Sequence, residues 1–210
     1  MKEVYIVGAG GFGRELLCWL KDSEDFGTKW EPVGYLDDDT AAAERDLPLP
    51  YLGTLDDFEA SDDRLIVIGI GNSKPRRAIA ERLKRLSANF LTYVHPTAII
   101  GDRVKIGEGS VICPRCILTC DLSLGDFTFL NLGVTIGHDV QVGPYCSLSS
   151  QTDLCGGVIL EEGVWLGSGA RVIPGRTVGA WARIGAGSVV IRHVKSGTTV
   201  FGNPAKKIAD

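Results

Sequence analysis

The sequence of 210 residues predicts an α/β domain followed by a parallel β-helix, and three observations predict this architecture. Short apolar runs alternate with helical patterns across residues 1–93, which is typical of a small parallel sheet with crossover helices. From Val94 onward an aliphatic residue recurs at every sixth position, which is typical of a solenoid. The chain also contains 27 glycines, about 13% of its residues against ~7% in an average protein.

The first 93 residues read as a small Rossmann-like βαβ domain. Three apolar runs predict strands: residues 4–7, 32–36 and 65–70. The last run is continuous, as expected of a parallel strand that is buried on both faces. Helical patterns follow the first and third runs, at residues 14–21 and 75–86. We therefore place the domain boundary near residue 93.

The remaining residues, 94–210, carry an uninterrupted six-residue repeat. Seventeen successive positions are aliphatic: Val94, Ile100, Ile106, Ile112, Leu118, Leu124, Leu130, Ile136, Val142, Leu148, Leu154, Leu160, Leu166, Val172, Val178, Ile184 and Val190. Glycine directly follows the aliphatic residue in eight of the sixteen hexads from Ile100 to Val190. Each hexad supplies a short strand, whose aliphatic residue points inward, and a turn where a side chain would be crowded. Three hexads close one triangular coil, so the repeat predicts about six stacked coils without a long loop.

Composition excludes several classes of protein. The chain has no apolar run long enough for a transmembrane helix, so no membrane partner is expected. The N-terminal apolar run is too short for a secretory signal, which favours a cytoplasmic location with the six cysteines reduced. A net charge of −4 argues against a dedicated nucleic-acid-binding protein.

The last part of the chain is basic although the whole protein is acidic. Between Gly163 and Ala209 there is no Asp or Glu. The segment carries seven basic residues: Arg171, Arg176, Arg183, Arg192, Lys195, Lys206 and Lys207. Such a segment is either a solvated face or a place that could hold an anionic ligand.

His138 is the main candidate for a chemical role. It follows Ile136 and Gly137, so the repeat places it at a corner of a coil and not in the interior. Imidazole titrates near neutral pH and can take a proton from an attacking group. Asp139 could accept the other ring N–H and fix the tautomer. The alternative interpretation is a surface histidine beside a surface aspartate.

The other histidines and the cysteines do not predict a metal site. His95 opens the first coil before a proline and is expected to be structural. His193 lies about three coils beyond His138, roughly 14 Å along the axis at the ~4.8 Å strand spacing, which excludes a three-histidine zinc centre. One Cys-x-x-Cys with a third cysteine is weaker evidence than paired motifs, so no metal is predicted at Cys113, Cys116 and Cys120.

A glycine-rich stretch, Gly8-Ala9-Gly10-Gly11-Phe12-Gly13, follows the first predicted strand. It matches the Gly-x-Gly-x-x-Gly pattern of a phosphate-binding loop between a strand and a helix. Asp37 and Asp38 follow the second strand, where an acidic residue binds a ribose hydroxyl in dinucleotide folds. A hydride-transfer enzyme is one interpretation, but residues 1–93 are too few for a dinucleotide fold with a substrate domain. A glycine-rich turn without a ligand is another.

Together these features resemble a known family. The chain is similar to the bacterial hexapeptide-repeat sugar acetyltransferases with an N-terminal nucleotide-binding domain, which include UDP-4-amino-sugar N-acetyltransferases and sialic acid O-acetyltransferases. The landmarks are the glycine stretch, Asp37-Asp38, Gly69-Ile70-Gly71-Asn72, His95-Pro96, Asn131, His138-Asp139 and Gly202-Asn203-Pro204-Ala205-Lys206. The resemblance implies a left-handed parallel β-helix, a homotrimer, acetyl-CoA as acyl donor and a nucleotide-linked sugar as substrate.

The resemblance also assigns residues to roles. His138 would be the catalytic base, with Asp139 supporting it. The nucleotide-linked sugar would contact Gly10, Gly11, Phe12, Asp37, Asp38, Gly71, Asn72 and Asn131, the last of which would orient the acceptor sugar. Acetyl-CoA would contact Ser147, Gly156, Ser168, Ala186 and Gly187. Phe12 and Ser147 stand where family members commonly have histidine.

The function implied is acetyl-CoA-dependent N-acetylation of a nucleotide-linked amino sugar, such as a UDP-4-amino sugar, in bacterial surface-glycan biosynthesis. O-acetylation of a sialic acid or a related sugar is an alternative, because one base serves both acceptors. A non-catalytic nucleotide-sugar sensor or scaffold that kept the fold is a third possibility.

Overall fold

The computed structural model describes residues 1–209. It confirms the predicted fold class, an α/β domain followed by a left-handed parallel β-helix. Within residues 1–209, neither α-helix is long and apolar enough to cross a membrane.

The α/β domain is one parallel sheet of five strands with two helices. Its elements are β1 (Lys2–Val7), α1 (Gly11–Leu20), β2 (Trp30–Leu36), β3 (Tyr51–Gly53), β4 (Arg64–Ile68), α2 (Ser73–Arg85) and β5 (Asn89–Phe90), with short 3₁₀ turns at Thr40–Glu44 and Leu55–Asp57. The strand order is β3-β2-β1-β4-β5. The order changes direction between β1 and β4, and the crevice at the carboxyl ends of those two strands is where such sheets bind ligands.

The domain contains two strands that the sequence did not predict, and α1 begins earlier than expected. β3 and β5 are too short to show a periodic pattern. Helix α1 starts at Gly11, inside the glycine stretch, where low helix propensity concealed it. Leu16, Leu17 and Leu20 then bury one face of α1 against the sheet.

The β-helix consists mostly of two-residue strands arranged in three flat faces. Face I contains β6 (Tyr93–Val94), β9 (Val111–Ile112), β12 (Phe129–Leu130), β15 (Ser147–Leu148), β18 (Trp165–Leu166), β21 (Arg183–Ile184), β23 (Thr199–Phe201) and the antiparallel β24 (Lys206–Ala209). Face II contains β7 (Ile99–Ile100), β10 (Ile117–Leu118), β13 (Thr135–Ile136), β16 (Asp153–Leu154), β19 (Arg171–Val172) and β22 (Val189–Val190). Face III contains β8 (Lys105–Ile106), β11 (Ser123–Leu124), β14 (Gln141–Val142), β17 (Ile159–Leu160) and β20 (Thr177–Val178).

The predicted aliphatic series forms the interior of this helix. From Ile112 to Val190 its members are almost completely buried. Ile100, in the first coil, is 39% exposed because no coil covers it on that side. The glycines at the turns are needed because successive coils stack closely: a Cβ at Gly137 would lie 2.8 Å from the backbone nitrogen of Gly156 in the next coil.

The α/β domain packs on face I. The outward residues Tyr93, Val111 and Phe129 of that face are buried by it. Phe12 packs against Phe129 with the ring centroids 4.4 Å apart and the ring planes tilted by 50°. The loop at the carboxyl end of β4 also lies against this face, since a Cβ on Gly71 would stand 3.7 Å from the Phe129 ring.

Candidate active site

His138 and Asp139 occupy the corner between faces II and III, where the sequence placed them. Asp139 has a φ of +60°, and the turn at this residue directs both side chains outward. Each side chain is 67% exposed, and His138 Nδ1 lies 2.7 Å from Asp139 Oδ2. A carboxylate can only accept, so Nδ1 carries the proton and Nε2 is free to act as a base.

The other side of the imidazole lies against Gly156, in the next coil of the same corner. A Cβ on Gly156 would stand 2.6 Å from both Cε1 and Nε2 of His138. Only glycine leaves the ring in this position. The corner continues through Gly157, Pro174 and Gly175, so the β-helix surface beyond the imidazole has few projecting side chains.

The same corner ends in a basic cavity. The cavity has a volume of about 410 Å³. Its lining includes Arg192, Lys195 and Lys206 and, among residues 1–209, no acidic side chain. The cavity stands about three coils from His138, roughly 14 Å at ~4.8 Å per strand spacing.

The glycine loop, residues 8–13, lies at the carboxyl end of β1. Gly10 caps α1, and hypothetical Cβ atoms on Gly10 and Gly11 would meet nothing within 4 Å. The first turn of α1 carries no acidic side chain that would offset the partial positive charge of the helix N-terminus. The loop borders a cavity of about 510 Å³ that is also lined by Arg14, Arg45 and one acidic residue, Asp46. Sequence analysis missed both arginines, although Arg14 directly follows the glycine pattern.

The two aspartates after β2 hold the loops of this edge together. Asp37 accepts hydrogen bonds from the backbone N–H groups of Ala9 (2.8 Å) and Asp39 (3.0 Å). Asp38 accepts from Leu55 N and from Arg82 Nη1 at 2.6 Å. Both carboxylates therefore stabilise the sheet edge, and one oxygen of Asp37 reaches the glycine loop itself.

The predicted substrate residues from the second loop and the β-helix lie beside the junction of the domains. Gly71 faces the Phe129 ring, and Phe12 covers the same ring. Asn72 caps α2 by accepting from Lys74 N at 3.3 Å. Asn131 stands at the corner between faces I and II, where its Oδ1 accepts from Leu132 N at 2.7 Å.

The structure separates Asn131 from His138. They stand at the two corners that bound face II, with the turn at residues 132–133 and strand β13 between them. The residues predicted to contact acetyl-CoA are likewise divided between these two corners. Gly156 shares the corner of His138, whereas the corner of Asn131 carries Ser168, Ala186 and Gly187, all three exposed.

Ser147 does not face a ligand, and this prediction is wrong. Its side chain is 1% exposed, because β15 lies on the part of face I that the α/β domain covers. Its Oγ accepts from Arg76 Nη2 at 2.8 Å and donates to the carbonyl of Gly71 at 2.7 Å. Ser73 Oγ lies 3.0 Å away as a further partner. No bonding capacity is left for a coenzyme.

The remaining histidines and cysteines have structural surroundings. His95 is 5% exposed and lies 3.1 Å from Asp22 Oδ2. Cys113 and Cys116 are buried. No group of three or more His, Cys, Asp or Glu residues within 1–209 is arranged to hold a metal ion.

The chain combines a parallel β-helix, which carries a solvent-facing His–Asp pair at one corner, with a preceding α/β domain that has an open glycine loop. This combination is typical of the β-helical acetyltransferases. Comparison with known proteins then specifies the family. The model of the PglD N-terminal domain matches residues 3–83, and the model of the bacterial transferase hexapeptide (six repeats) matches residues 157–192. A GDP-perosamine N-acetyltransferase of Escherichia coli O157:H7 is 30% identical over 97% of this chain and 95% of its own length.

Solved structures agree over the whole chain. The acetyltransferase domain of PglB from Neisseria gonorrhoeae FA1090 has a TM-score of 0.90 at 29% identity, covering 99% of this chain and 100% of that one. PerB from Caulobacter crescentus, solved in complex with CoA and GDP-perosamine, has a TM-score of 0.88 at 28% identity, covering 100% and 98%. The chain belongs to the hexapeptide-repeat sugar acetyltransferases with a PglD-type N-terminal domain, and it is an acetyltransferase. The resemblance predicted from the sequence is confirmed.

Proposed function

We propose that this enzyme transfers the acetyl group of acetyl-CoA to the amine of a nucleotide-linked amino sugar, a UDP-4-amino sugar or a similar compound, in cytoplasmic steps of bacterial surface-glycan biosynthesis. The observation that carries the proposal is the His138–Asp139 pair, whose free Nε2 stands over Gly156 at an exposed corner. Relatives that cover almost the whole chain support the substrate class, since one is a GDP-perosamine N-acetyltransferase and another was solved with CoA and GDP-perosamine.

The chemistry requires one base. The amine attacks the thioester carbonyl, an N–C bond forms, and the C–S bond breaks, so that the coenzyme leaves as a thiolate and is protonated by the imidazolium that the reaction forms. Nε2 of His138 takes the proton that the amine loses. Asp139 holds the ring in the tautomer that exposes Nε2 and favours the imidazolium that forms.

The glycine loop supports binding of the nucleoside diphosphate. Backbone N–H groups at the start of α1 and the side chain of Arg14 face the 510 Å³ cavity, which suits a phosphate group. Arg45 lines the opposite part and also pairs with Asp39. Asp46 also lines the cavity, so the lining keeps a net charge of about +1, which suits a diphosphate better than a neutral ligand.

The corner above His138 supports binding of acetyl-CoA. Gly156, Gly157 and Gly175 leave room for an extended pantetheine arm along the coils. The basic cavity with Arg192 and Lys195 at the end of the corner supplies cations for the coenzyme phosphates. The acid-free segment noted in the sequence lies largely in the coils that form this region.

A homotrimer would complete the site. One protomer carries His138 and Gly156 at one corner of face II and Asn131 and Ser168 at the other, with the strands of face II between them. A reaction centre that uses both sets requires the corner of one protomer to approach the opposite corner of the next. Flat β-helix faces are suited to that packing.

The test measures thiol release from acetyl-CoA with a panel of UDP- and GDP-linked 4-amino sugars and sialic acid. Release with an amino sugar, reduced about 10²–10⁴-fold in His138→Ala, is the expected result for loss of a general base. The side chain is two-thirds exposed, so the variant should keep the unfolding temperature of the wild type. Near-normal turnover in the variant would contradict the mechanism. Release with sialic acid alone would indicate O-acetylation, and nucleotide-sugar binding without turnover would favour the sensor.

A further inference from the structure

The buried side chain of Arg76 joins the two domains. Arg76 stands on α2 of the α/β domain and is 2% exposed. Its guanidinium faces no carboxylate among its hydrogen-bond partners in residues 1–209. Burial lowers its pKa to about 10, so the group remains a cation at neutral pH.

Six oxygens from both domains surround this cation. From the β-helix, the carbonyls of Phe127, Tyr145 and Cys146 each accept at 2.9 Å, from Nε or Nη2. From the loop after β4, the carbonyls of Ile70 and Gly71 accept from Nη1 at 2.9 Å. A guanidinium has five N–H donors in a rigid plane, so every donor is used and one is shared.

Ser147 completes the arrangement. It accepts from Arg76 Nη2 and donates to the Gly71 carbonyl, so that the loop is attached to the β-helix both through the guanidinium and directly. Since its single hydroxyl proton goes to Gly71, Ser73 donates the remaining hydrogen bond to Ser147.

The attached loop packs against the glycine loop. A Cβ on Gly69 would lie 2.8 Å from the Cα of Gly13, and a Cβ on Gly8 would lie 3.1 Å from the Gly69 carbonyl oxygen. Gly69 N donates to Val7 O at 2.8 Å. With contacts this close, a displacement of residues 69–72 moves the backbone that faces the phosphate cavity.

We propose that Arg76 and Ser147 are positioning residues for the nucleotide-linked sugar: they hold residues 69–72 on face I and thereby fix the glycine loop relative to the acetyl-transfer corner. This inference rests on the proposed function. It also gives Ser147 a role on the sugar-nucleotide side in place of the coenzyme contact predicted from the sequence.

The experiment compares binding of UDP, GDP and CoA to the full-length wild type and variants by calorimetry. Ser147→Ala removes one hydroxyl without leaving a charge unpaired. We expect it to weaken binding of the nucleotide that the wild type prefers by about three- to tenfold, the worth of one hydrogen bond, with CoA binding unchanged. The matched control is Ser110→Ala. Ser110 is also fully buried, accepts from Thr128 N and donates to Gly125 O inside the β-helix. The control should lose a similar amount of stability and keep its nucleotide affinity.

A second variant tests the guanidinium itself. Arg76→Ala should bind the nucleotide more weakly than Ser147→Ala does, and added guanidinium ion should restore part of the affinity. If Ser147→Ala alters CoA affinity alone, or leaves both affinities unchanged while its stability falls as in the control, the proposal is overturned. If the wild type binds neither UDP nor GDP, the proposed function fails and the inference fails with it.

Discussion

The imidazole of His138 rests over the Cα of Gly156 in the neighbouring coil, at a distance that leaves no room for a Cβ. The two residues occupy equivalent positions of successive coils, so the stacking of the β-helix and not a loop sets their separation. Asp139 holds Nδ1 of the same ring at 2.7 Å. The direction of Nε2 is thus fixed from two sides.

Gly156→Ala should reduce turnover while leaving the fold intact. The new Cβ would stand 2.6 Å from Nε2, and the exposed ring can swing away at little cost to stability. A base displaced by about 1 Å can lose about 10²-fold in rate. Steady-state kinetics should show this loss in kcat with an unchanged unfolding temperature. In a His138→Ala background the same substitution should have no further effect on kcat, and an additional loss there would show that Gly156 acts elsewhere.

Asp139→Asn should lower kcat by about 10- to 10²-fold, the usual cost of losing an orienting carboxylate. Asparagine tolerates the left-handed backbone that this position requires, so the substitution tests charge and hydrogen bonding alone. Asp121→Asn is the matched control. Asp121 stands one coil earlier in the same corner, has a φ of +55° and pairs with Arg103. Equal losses in the two variants would mean that general electrostatics, and not the His138–Asp139 bond, carries the effect.

Arg14→Ala should raise KM for the sugar nucleotide by about tenfold or more, because a charge-assisted hydrogen bond to phosphate is lost. KM for acetyl-CoA should not change, since Arg14 lines the cavity beside the glycine loop and does not lie at the β-helix corners. Lys2→Ala, at the amino end of β1, removes an equal charge from the opposite edge of the sheet. A similar rise in KM in the control would assign the effect to net charge.

Stability should decline in alkaline solution. Burial raises the pKa of the Cys116 thiol to about 11 and that of Cys146 to about 12. Above pH 9 the unfolded chain loses these protons first, so unfolding becomes easier by about 1.4 kcal/mol per pH unit for each thiol until the folded pKa is reached. Below pH 9 both thiols are protonated in the folded and the unfolded chain, so their contribution to the free energy of unfolding is fully present. Urea unfolding at pH 7, 9 and 10.5 measures this slope.

Cys146→Val should flatten the alkaline slope. Valine already occupies the equivalent buried position at Val140, in the preceding hexad, and at Val164, in the next coil of the same face. Cys18→Ala provides the control, since Cys18 is exposed. A slope that Cys146→Val leaves unchanged would assign alkaline unfolding to other groups.

Much of the fold was predictable because its determinants are local. An aliphatic residue at every sixth position specifies the inward side of each coil, and counting by six places His138 at a corner. The strands β3 and β5 were not predicted, because segments of two or three residues are too short to show a periodic pattern.

The candidate site was only partly predictable. The sequence by itself determined the coils, the exposed His138–Asp139 corner and the glycine loop, because repeat period and glycine spacing act between near neighbours. Tertiary structure alone decided which face the α/β domain covers. The six-residue pattern does not distinguish the outward positions of one face from those of another. Because the α/β domain packs on face I, Ser147 is buried there as a partner of Arg76 and does not make the predicted coenzyme contact. Tertiary structure also brought Arg45, from the segment between β2 and β3, to the cavity beside the glycine loop, since this placement depends on how whole elements dock.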